Sequence, residues 1–185
     1  MAFAAAEKLS DKRLMEAFCQ GDAEAFEVLF SRYAKSVQGF LLQMVRDLGD
    51  AEDLLQVTFL AFVRERGRYD PTYRVKGWIY AIARNAARDF LRRRRARREL
   101  RTEDGENPTE ESLETPPNLI REQWIAGALA KIPDPQREAV VLHHFEDLSF
   151  QEIAQILGTS VNAVKIRAHR GYRALHHILT ESEAG

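Results

Sequence analysis

Aromatic rings and cations alternate in residues 68–78, RYDPTYRVKGW, a combination suited to binding nucleic acid. The rings are those of Tyr69, Tyr73 and Trp78, and the cations beside them include Arg74 and Lys76. Aromatic rings stack on unpaired bases, while cations hold the phosphates of a single strand. Pro71 prevents a regular helix through the first part of the segment, which is therefore predicted to be a loop. This loop is a candidate site for single-stranded nucleic acid.

A run of arginines follows the loop and points to the same kind of ligand. Residues 92–98 contain six arginines, and residues 64–101 hold 14 basic against 4 acidic residues, a net charge of +10. Such a density of positive charge attracts phosphates and makes binding strongly dependent on salt. The alternative is that the aromatic residues belong to the hydrophobic core and that the arginines only keep the protein in solution.

A second candidate site lies near the C-terminal end, where the segment DLSFQEIAQILGTSVNAVKIRAHRGYRAL has the layout of a helix-turn-helix. Ser149 and Glu152 form a capping box at the start of the first helix, and Gly158 is suited to end that helix in a left-handed conformation. Ser160 can cap the second helix. A short helix, a tight turn and a second helix are the arrangement of proteins that read the major groove of DNA.

The second helix of this pair has one packing face and one polar, basic face. The predicted packing face consists of Val161, Val164, Ala168, Tyr172 and Leu175. The opposite face consists of Asn162, Lys165, Ile166, His169, Arg170 and Arg173. Lys and Arg can contact phosphates or guanine edges, and Asn can read adenine. The alternative is a pair of core helices with a solvated basic face.

These candidate sites are carried by a chain of 185 residues that reads as almost entirely helical. Apolar residues recur at steps of three and four over residues 22–44, and another apolar stripe begins at Trp78. We expect Asp50 to cap a helix over residues 51–64. We also expect Asp134 and Pro135 to be the N-cap and first residue of a helix that supports the reading helix. No segment alternates convincingly as a strand.

Composition divides the chain into two domains and a linker. Residues 102–118 contain six acidic residues, three prolines and a single apolar residue, so they bury too little surface to fold. We predict a first domain over residues 1–100, a flexible acidic linker over 101–118 and a second domain over 119–185. The predicted fold class is all-α, with two small helical domains.

The helix expected over residues 50–64, DAEDLLQVTFLAFVR, is apolar on two sides. One stripe contains Leu54, Thr58, Ala61 and Phe62, and the other contains Gln56, Phe59, Leu60 and Val63. A helix that is apolar nearly all round is either fully buried or shares a face with a partner. Periodicity does not distinguish the two.

Taken in order, these segments resemble the extracytoplasmic-function (ECF) sigma factors, the two-domain bacterial transcription initiation subunits. The resemblance covers almost the whole chain. It is carried by DAEDLLQVTFLAFVR, by GWIYAIARNAARDFLRR and by IPDPQREAVVLHHFEDLSFQEIAQILGTSVNAVKIRAHRGYRAL. It implies a region-2 helical bundle followed by a region-4 helix-turn-helix. The implied function is to bind core RNA polymerase, to direct it to specific −35 and −10 promoter elements, and to promote strand opening by capturing non-template −10 bases.

The resemblance also implies roles for individual residues. Contacts with the β′ clamp helices of the polymerase, which favour a shared face over burial, are implied for Asp53, Gln56, Phe59 and Leu60. Contacts with the −10 element are implied for Tyr69, Tyr73, Arg74, Lys76, Trp78, Arg84, Asn85, Arg88 and Arg92. Contacts with the −35 duplex are implied for Asn162, Lys165, Ile166, Arg167, His169, Arg170 and Arg173. Region 4 would also dock near the β flap, and an anti-sigma factor is the implied regulator. Family members often have a small polar residue at the position of Ile166. Its apolar side chain suggests either contact with a thymine methyl group or a position that does not read that base.

The sequence predicts no enzyme activity, no metal and no cofactor. It has no Gly-rich phosphate loop and no Cys/His metal spacing. His143 and His144, like His176 and His177, are adjacent and point to different sides of a helix. Cys19 is the sole cysteine, so it is expected to be a buried structural thiol, with redox sensing as the alternative. No apolar run is long enough for a membrane span, and a cytoplasmic location is expected.

Two rival functions remain at this point. A stand-alone helix-turn-helix regulator would explain the C-terminal segment but neither the aromatic loop nor the arginine run. A nucleic-acid enzyme that grips its substrate with the arginine-rich helix would need carboxylates clustered for metal ions. A repressor should bind promoter DNA alone, whereas a sigma factor should need core polymerase.

Overall fold

The computed structural model describes residues 6–103 and 120–183. The first domain contains α1 (Asp11–Cys19), α2 (Ala23–Val45), α3 (Leu48–Glu65) and α4 (Val75–Glu103). The second contains α5 (Ile120–Ala130), α6 (Asp134–Val140), α7 (Phe150–Leu157) and α8 (Val161–Glu183). A 3-10 turn at Arg66–Arg68 follows α3, and a π-helical turn at Val141–Phe145 follows α6. The described part of the chain contains no strand, and the all-α prediction is confirmed.

The first three helices begin where a side-chain oxygen caps a free backbone N–H group. Ser10, Asp22 and Asp47 each accept a hydrogen bond from the backbone N–H three residues further on. The long helix α2 ends at Arg46, whose left-handed conformation (φ 61°) reverses the chain toward α3. The caps and this reversal set α1, α2 and α3 beside one another.

Aromatic side chains form much of the core between these helices. The Phe62 ring on α3 lies 5.4 Å from Phe18 on α1 and 5.0 Å from Trp78 on α4, measured between ring centroids. Phe40 on α2 meets Tyr80 on α4 edge-on at 5.4 Å. Aromatic pairs at these distances add to the stability that burial provides. They attach the start of α4 to both α2 and α3.

Three predicted helix starts are wrong by a few residues. The helix assigned to an Asp50 cap is capped by Asp47, which places Asp50 in its first turn. Helix α4 begins at Val75 rather than Trp78, and α6 is preceded by Pro133, so Asp134 is its first residue. For α3 the cause is that two aspartates able to cap a helix, Asp47 and Asp50, lie three residues apart.

The predicted helix-turn-helix is confirmed in α7 and α8. Ser149 and Glu152 form the expected capping box, and Gly158 ends α7 in the left-handed conformation (φ 60°). Helix α8 crosses α6 at Gly171, where an added Cβ would lie 2.6 Å from Cγ2 of Val140. The absence of a side chain at this position lets the two helices approach closely and fixes α8 on the domain.

The two domains are in contact, chiefly through α4 of the first and α7 of the second. Helix α4 extends to Glu103, so it includes the first residues of the predicted linker over 101–118. The rest of that predicted linker lies outside the described residues. Among the helices that the structure describes, none is long and apolar enough to cross a membrane.

Candidate nucleic-acid interface

Helix α8 presents its predicted reading face to solvent. The exposed side chains are those of Asn162, Lys165, Ile166, His169, Arg170 and Arg173. Arg167 is half-buried, and Val164 and Ala168 on the other side are buried in the domain core. Ser160 caps the helix by accepting a hydrogen bond from the Ala163 N–H at 3.2 Å. A polar and basic face on a helix held in this way can enter a major groove.

Two residues predicted for the packing face of α8 are exposed, which corrects that prediction. They are Val161, the first residue of the helix, and Tyr172, which is 36% exposed and meets the ring of His144 edge-on at 6.3 Å. The tight contact with α6 is made instead by Gly171. Sequence reasoning missed this glycine because a residue without a side chain gives no signal in a hydrophobic pattern.

The predicted aromatic loop is a short turn closed by its own hydrogen bonds. The hydroxyl of Tyr69 donates to the carbonyl oxygen of Tyr73 at 2.6 Å. The carboxylate of Asp70 accepts from the N–H and the hydroxyl of Thr72 at 2.9 and 2.8 Å, and these bonds lower the pKa of Asp70. The turn is therefore shaped by hydrogen bonds among its own residues.

The three aromatic residues of this segment differ in how accessible they are. Tyr69 and Trp78 are half-buried and form a tilted pair with ring centroids 5.2 Å apart. Burial raises the pKa of Tyr69. Tyr73 is exposed. Of the three rings, that of Tyr73 is therefore the most accessible, whereas those of Tyr69 and Trp78 pack against each other.

Three cations predicted to bind the −10 element are paired with carboxylates of the second domain. The pairs are Arg74 Nη1–Glu152 Oε1 at 3.3 Å, Lys76 Nζ–Glu146 Oε2 at 3.5 Å and Arg84 Nε–Glu138 Oε2 at 3.1 Å. Arg84 was predicted to project toward DNA, and its position corrects that prediction. It is only 7% exposed, and its guanidinium also donates to the carbonyl oxygen of Ile156 at 3.2 Å.

Sequence reasoning did not predict these three glutamates as part of the site. Glu152 was assigned only to the capping box, and nothing singled out Glu138 or Glu146. The paired residues are 54 to 78 positions apart in the chain, so no local spacing could indicate them. Composition gives only a general indication, because it shows that acidic residues outside the basic segment are present to pair with it.

The remaining predicted −10 residues lie exposed along α4. These are Asn85, Arg88 and Arg92. Further along the helix, Arg94 pairs with Asp50 at 3.0 Å, which links the arginine-rich end of α4 to the start of α3. The exposed arginines of this end form a cationic surface for phosphates.

Helix α3 is buried along one stripe and exposed along another. One face therefore belongs to the core, and the other is open to a partner. Leu54, Thr58 and Phe62 are buried. Asp53 and Gln56 are exposed. An exposed apolar side chain beside polar ones is a feature of protein interfaces.

Leu60 and Phe59 are neighbours in sequence but differ in accessibility. Leu60 is 70% exposed, as a contact with a partner requires. Phe59 is only 4% exposed, and its ring meets that of Phe30 edge-on at 4.7 Å. The prediction that Phe59 contacts the polymerase is corrected, because its side chain supports the core beneath the exposed face.

Cys19 is exposed, and the expectation of a buried thiol is wrong. Its thiol donates to the carbonyl oxygen of Arg66 at 3.3 Å. Desolvation raises the pKa of Cys19, although the nearby charge of Arg66 acts in the opposite direction. A raised pKa leaves less of the reactive thiolate at neutral pH, which suits an anchor for the turn after α3 better than a redox sensor.

Comparison with known proteins reveals the same two-part organisation. The family model of sigma-70 region 2 matches residues 29–97, and that of sigma-70 region 4 matches residues 122–175. The RNA polymerase sigma factor CarQ of Myxococcus xanthus is 46% identical over 175 residues, which cover 91% of this chain and 97% of CarQ. The ECF RNA polymerase sigma-E factor of Haemophilus influenzae is 31% identical over 176 residues, which cover 89% of this chain and 93% of that protein. Among solved structures, CnrH in complex with the cytosolic domain of CnrY is similar with a TM-score of 0.69 at 27% identity, over 92% of this chain and 97% of CnrH.

Proposed function

Because the chain belongs to the ECF sigma factors of the sigma-70 family, we propose that it binds core RNA polymerase and directs it to promoters with a particular pair of −35 and −10 elements. The second domain binds the −35 element as duplex. The first domain binds the polymerase and the opening −10 element. The chain is a specificity subunit and catalyses no reaction itself.

The observation that carries this proposal is the exposed polar and basic face of α8. Lys165 and Arg170 supply cations for guanine edges or phosphates, and Asn162 supplies an amide that can pair with adenine. The exposed apolar side chain of Ile166 suits the methyl group of thymine. Gly171 supports this role by holding the helix close to α6, so that the side chains project from a fixed base.

At the −10 element, the proposal rests on Tyr73 and the exposed side of α4. The ring of Tyr73 stacks on a base that has left the duplex, which stabilises the opened strand. Asn85, Arg88 and Arg92 hold the strand at the upstream edge of the opened region, where phosphate contacts fix its position.

For the polymerase contact, the proposal rests on the exposed face of α3. Asp53, Gln56 and Leu60 lie on this face, and Phe59 holds it from below. The second domain has a further contact with the β flap. An anti-sigma protein that holds the chain until a signal releases it is part of the same proposal, since the similar CnrH was solved with the cytosolic domain of CnrY bound. The proposed location is the cytoplasm, where polymerase and promoter DNA meet.

The experiment that tests this proposal is transcription from a genomic library by the purified chain with core polymerase, followed by sequencing of the transcript starts. We expect starts preceded by one shared pair of −35 and −10 sequences. Neither the chain nor the core polymerase alone should select them. Starts scattered without a shared upstream sequence would refute the proposal.

Single substitutions on α8 then test the residues. Lys165→Ala or Arg170→Ala should weaken binding to the −35 duplex by about 1–3 kcal/mol, measured in holoenzyme with the promoter found above. Lys131→Ala is the matched control, because Lys131 is an exposed cation of the same domain that lies off the reading helix. Equal loss of affinity in the three variants would show a general charge effect and remove Lys165 and Arg170 from the reading face.

A further inference from the structure

We propose that the arginine-rich end of α4, residues 92–98, binds the phosphate backbone of double-stranded DNA just upstream of the −10 element. Arg95 is the residue that this proposal adds to the DNA contacts. The inference rests on the proposed function, in which Asn85, Arg88 and Arg92 hold the strand at the upstream edge of the opened region. It extends the DNA-binding surface past Arg92 and assigns the additional part a different ligand, closed duplex.

Helix α4 continues well beyond the point where it contacts the core of the first domain. Phe90 and Leu91 are half-buried and pack against that core. Every residue from 92 to 99 is exposed, although the helix extends to Glu103. At a rise of 1.5 Å per residue, ~18 Å of helix lies beyond Leu91. Burial of apolar surface therefore does not explain why the arginine-rich end is helical.

The composition of the arginine-rich end is unfavourable for an isolated helix. Residues 90–98 contain six arginines and no acidic residue. Like charges three or four residues apart, such as Arg92 and Arg95, repel each other on a helix surface. The helix dipole favours cations only in the last turn, which here follows residue 98. A sequence that violates local rules in this way is expected at a functional site, and a polyanionic ligand would relieve the repulsion.

Arg95 continues the face of α4 that carries the proposed −10 contacts. Asn85, Arg88, Arg92 and Arg95 follow one another at steps of three and four residues, so they share one side of the helix. All four are exposed. Arg97 is two residues beyond Arg95, a rotation of about 200°, and lies on the opposite side. A ligand bound along the first face therefore meets Arg95 and not Arg97.

An ion pair with α3 sets the direction in which Arg95 projects. Nη1 of Arg94 lies 3.0 Å from Oδ2 of Asp50 in the first turn of α3. Successive helical residues are rotated by about 100°, so Arg95 projects away from this contact, and its side chain is 82% exposed. Its pair with Glu99 at 2.9 Å is solvent-exposed and contributes little to stability. A phosphate can therefore take the place of that carboxylate.

The chemistry of the arginine-rich end suits a duplex backbone better than an opened strand. It contains no aromatic residue, whereas binding of single strands relies on rings that stack on bases. A duplex presents one phosphate per ~1.7 Å of its axis, so the ~9 Å of helix between Arg92 and Arg98 matches about three base pairs. Contacts with phosphates position a protein and do not depend on base sequence.

The substitution Arg95→Gln in holoenzyme, on the promoter found above, tests this contact. The matched control is Arg97→Gln, which removes the same charge from an exposed position of the same run but on the opposite side of the helix. Fluorescence anisotropy of labelled promoter DNA measures affinity over a range of salt concentrations. A second DNA carries uncharged methylphosphonates in place of the phosphates in the first three or so base pairs upstream of the −10 element.

We expect Arg95→Gln to weaken binding on the order of fivefold at about 0.1 M salt and to reduce the slope of log affinity against log salt by about 1. The loss should be the same when the sequence upstream of the −10 element is changed. On methylphosphonate DNA, Arg95→Gln should bind as wild type does. Arg97→Gln should lose much less on the unmodified promoter. Circular dichroism should show undiminished helix content in both variants, because each substitution removes a repulsion.

Equal affinity of Arg95→Gln and wild type on the unmodified promoter would overturn the duplex contact. Equal losses in the Arg95→Gln and Arg97→Gln variants would also overturn it, because the effect would then be one of net charge. A loss that persists on methylphosphonate DNA would place the contact elsewhere.

The contact and the proposed function fail in different measurements. Arg95→Gln holoenzyme should start transcription at the same sites as wild type, so a normal affinity would refute the contact alone. Scattered starts with the wild-type chain would refute the function. The contact is then decided by binding of the full chain to a plain duplex, where Arg95→Gln should again lose more affinity than Arg97→Gln, and equal binding would overturn it.

Discussion

The substitution Gly171→Ala tests whether the reading helix is positioned by its close approach to α6. A Cβ at this position would lie 2.6 Å from Cγ2 of Val140 and 3.2 Å from the carbonyl oxygen of Gln136. The first distance is far below van der Waals contact, and the second atom belongs to the backbone, so the helices must move apart. Overpacking of this kind costs about 1–3 kcal/mol.

A matched control is Gly39→Ala in α2. Gly39 also lies inside a helix, but nothing lies within 4 Å of its added Cβ. Alanine should therefore stabilise the chain at position 39 by about 1 kcal/mol through its helix propensity. The same gain applies at position 171, where it offsets part of the overpacking. We expect the two variants to differ by about 1–3 kcal/mol in the free energy of unfolding.

Urea unfolding followed by circular dichroism measures this difference in the free energy of unfolding. Binding to the −35 duplex in holoenzyme measures how the displacement of α8 affects recognition of the −35 element. The background Val140→Ala provides room for the new methyl group, so Gly171→Ala should cost less there, with a coupling of roughly 1 kcal/mol. Equal changes in unfolding free energy at positions 39 and 171 would refute the reasoning. Normal −35 affinity in a destabilised Gly171→Ala protein would show that α8 keeps its position by other contacts.

The remaining predictions concern the first domain and the capping box of α7. Phe59→Ala should lower the free energy of unfolding by about 3–5 kcal/mol, whereas Leu60→Ala should leave it nearly unchanged and weaken core-polymerase binding in a pull-down titration; the reverse pattern would contradict the assignment of the two faces. Tyr73→Ala should slow promoter opening more than Tyr69→Ala, as measured by permanganate reactivity of the opened strand, and equal reactivity would count against stacking by Tyr73. Burial acts to raise the pKa of Glu152, but capping-box hydrogen bonds and a neighbouring arginine outweigh it and lower the pKa from its ordinary 4.5. Its contribution to stability is complete above that value and is lost as the pH falls through the lower folded pKa, so the difference in Tm between wild type and Glu152→Gln should shrink over that range; a constant difference would exclude the carboxylate as its source.

The second domain was predictable from sequence because its signals are local. Ser149, Glu152 and Gly158 act on atoms within a few residues of themselves, so their types and spacing predict where α7 begins and ends. The apolar positions of α8 likewise separate its buried side from its reading face. The exceptions on that helix were Val161 and Tyr172, which are exposed. The contact with α6 is made by Gly171, because it depends on how closely two helices approach and not on a hydrophobic pattern.

The first domain was harder to predict because its uncertain points depend on distant neighbours. Periodicity showed two apolar stripes on α3, but only the positions of Phe26 and Phe30 on α2 determine that Phe59 is covered. The helix start at Asp47 was missed because Asp50, three residues later, satisfies the same local rule. Local rules predict that a helix begins in such a segment, but they do not determine its first residue.

The contacts between the domains are the part of the structure that is least predictable from sequence. They involve residues that the sequence suggested as DNA contacts. The residue type of Arg84 suggests a contact with nucleic acid. Its side chain is nevertheless buried against Glu138. The residue type is the same in both roles because phosphate and carboxylate present the same chemistry to a guanidinium. Substitution of Arg84 therefore removes both the ion pair with Glu138 and the positive charge itself. Substitution of Glu138 removes the same ion pair and leaves the cation in place, so variants on the carboxylate side separate the contact between the domains from the charge of Arg84.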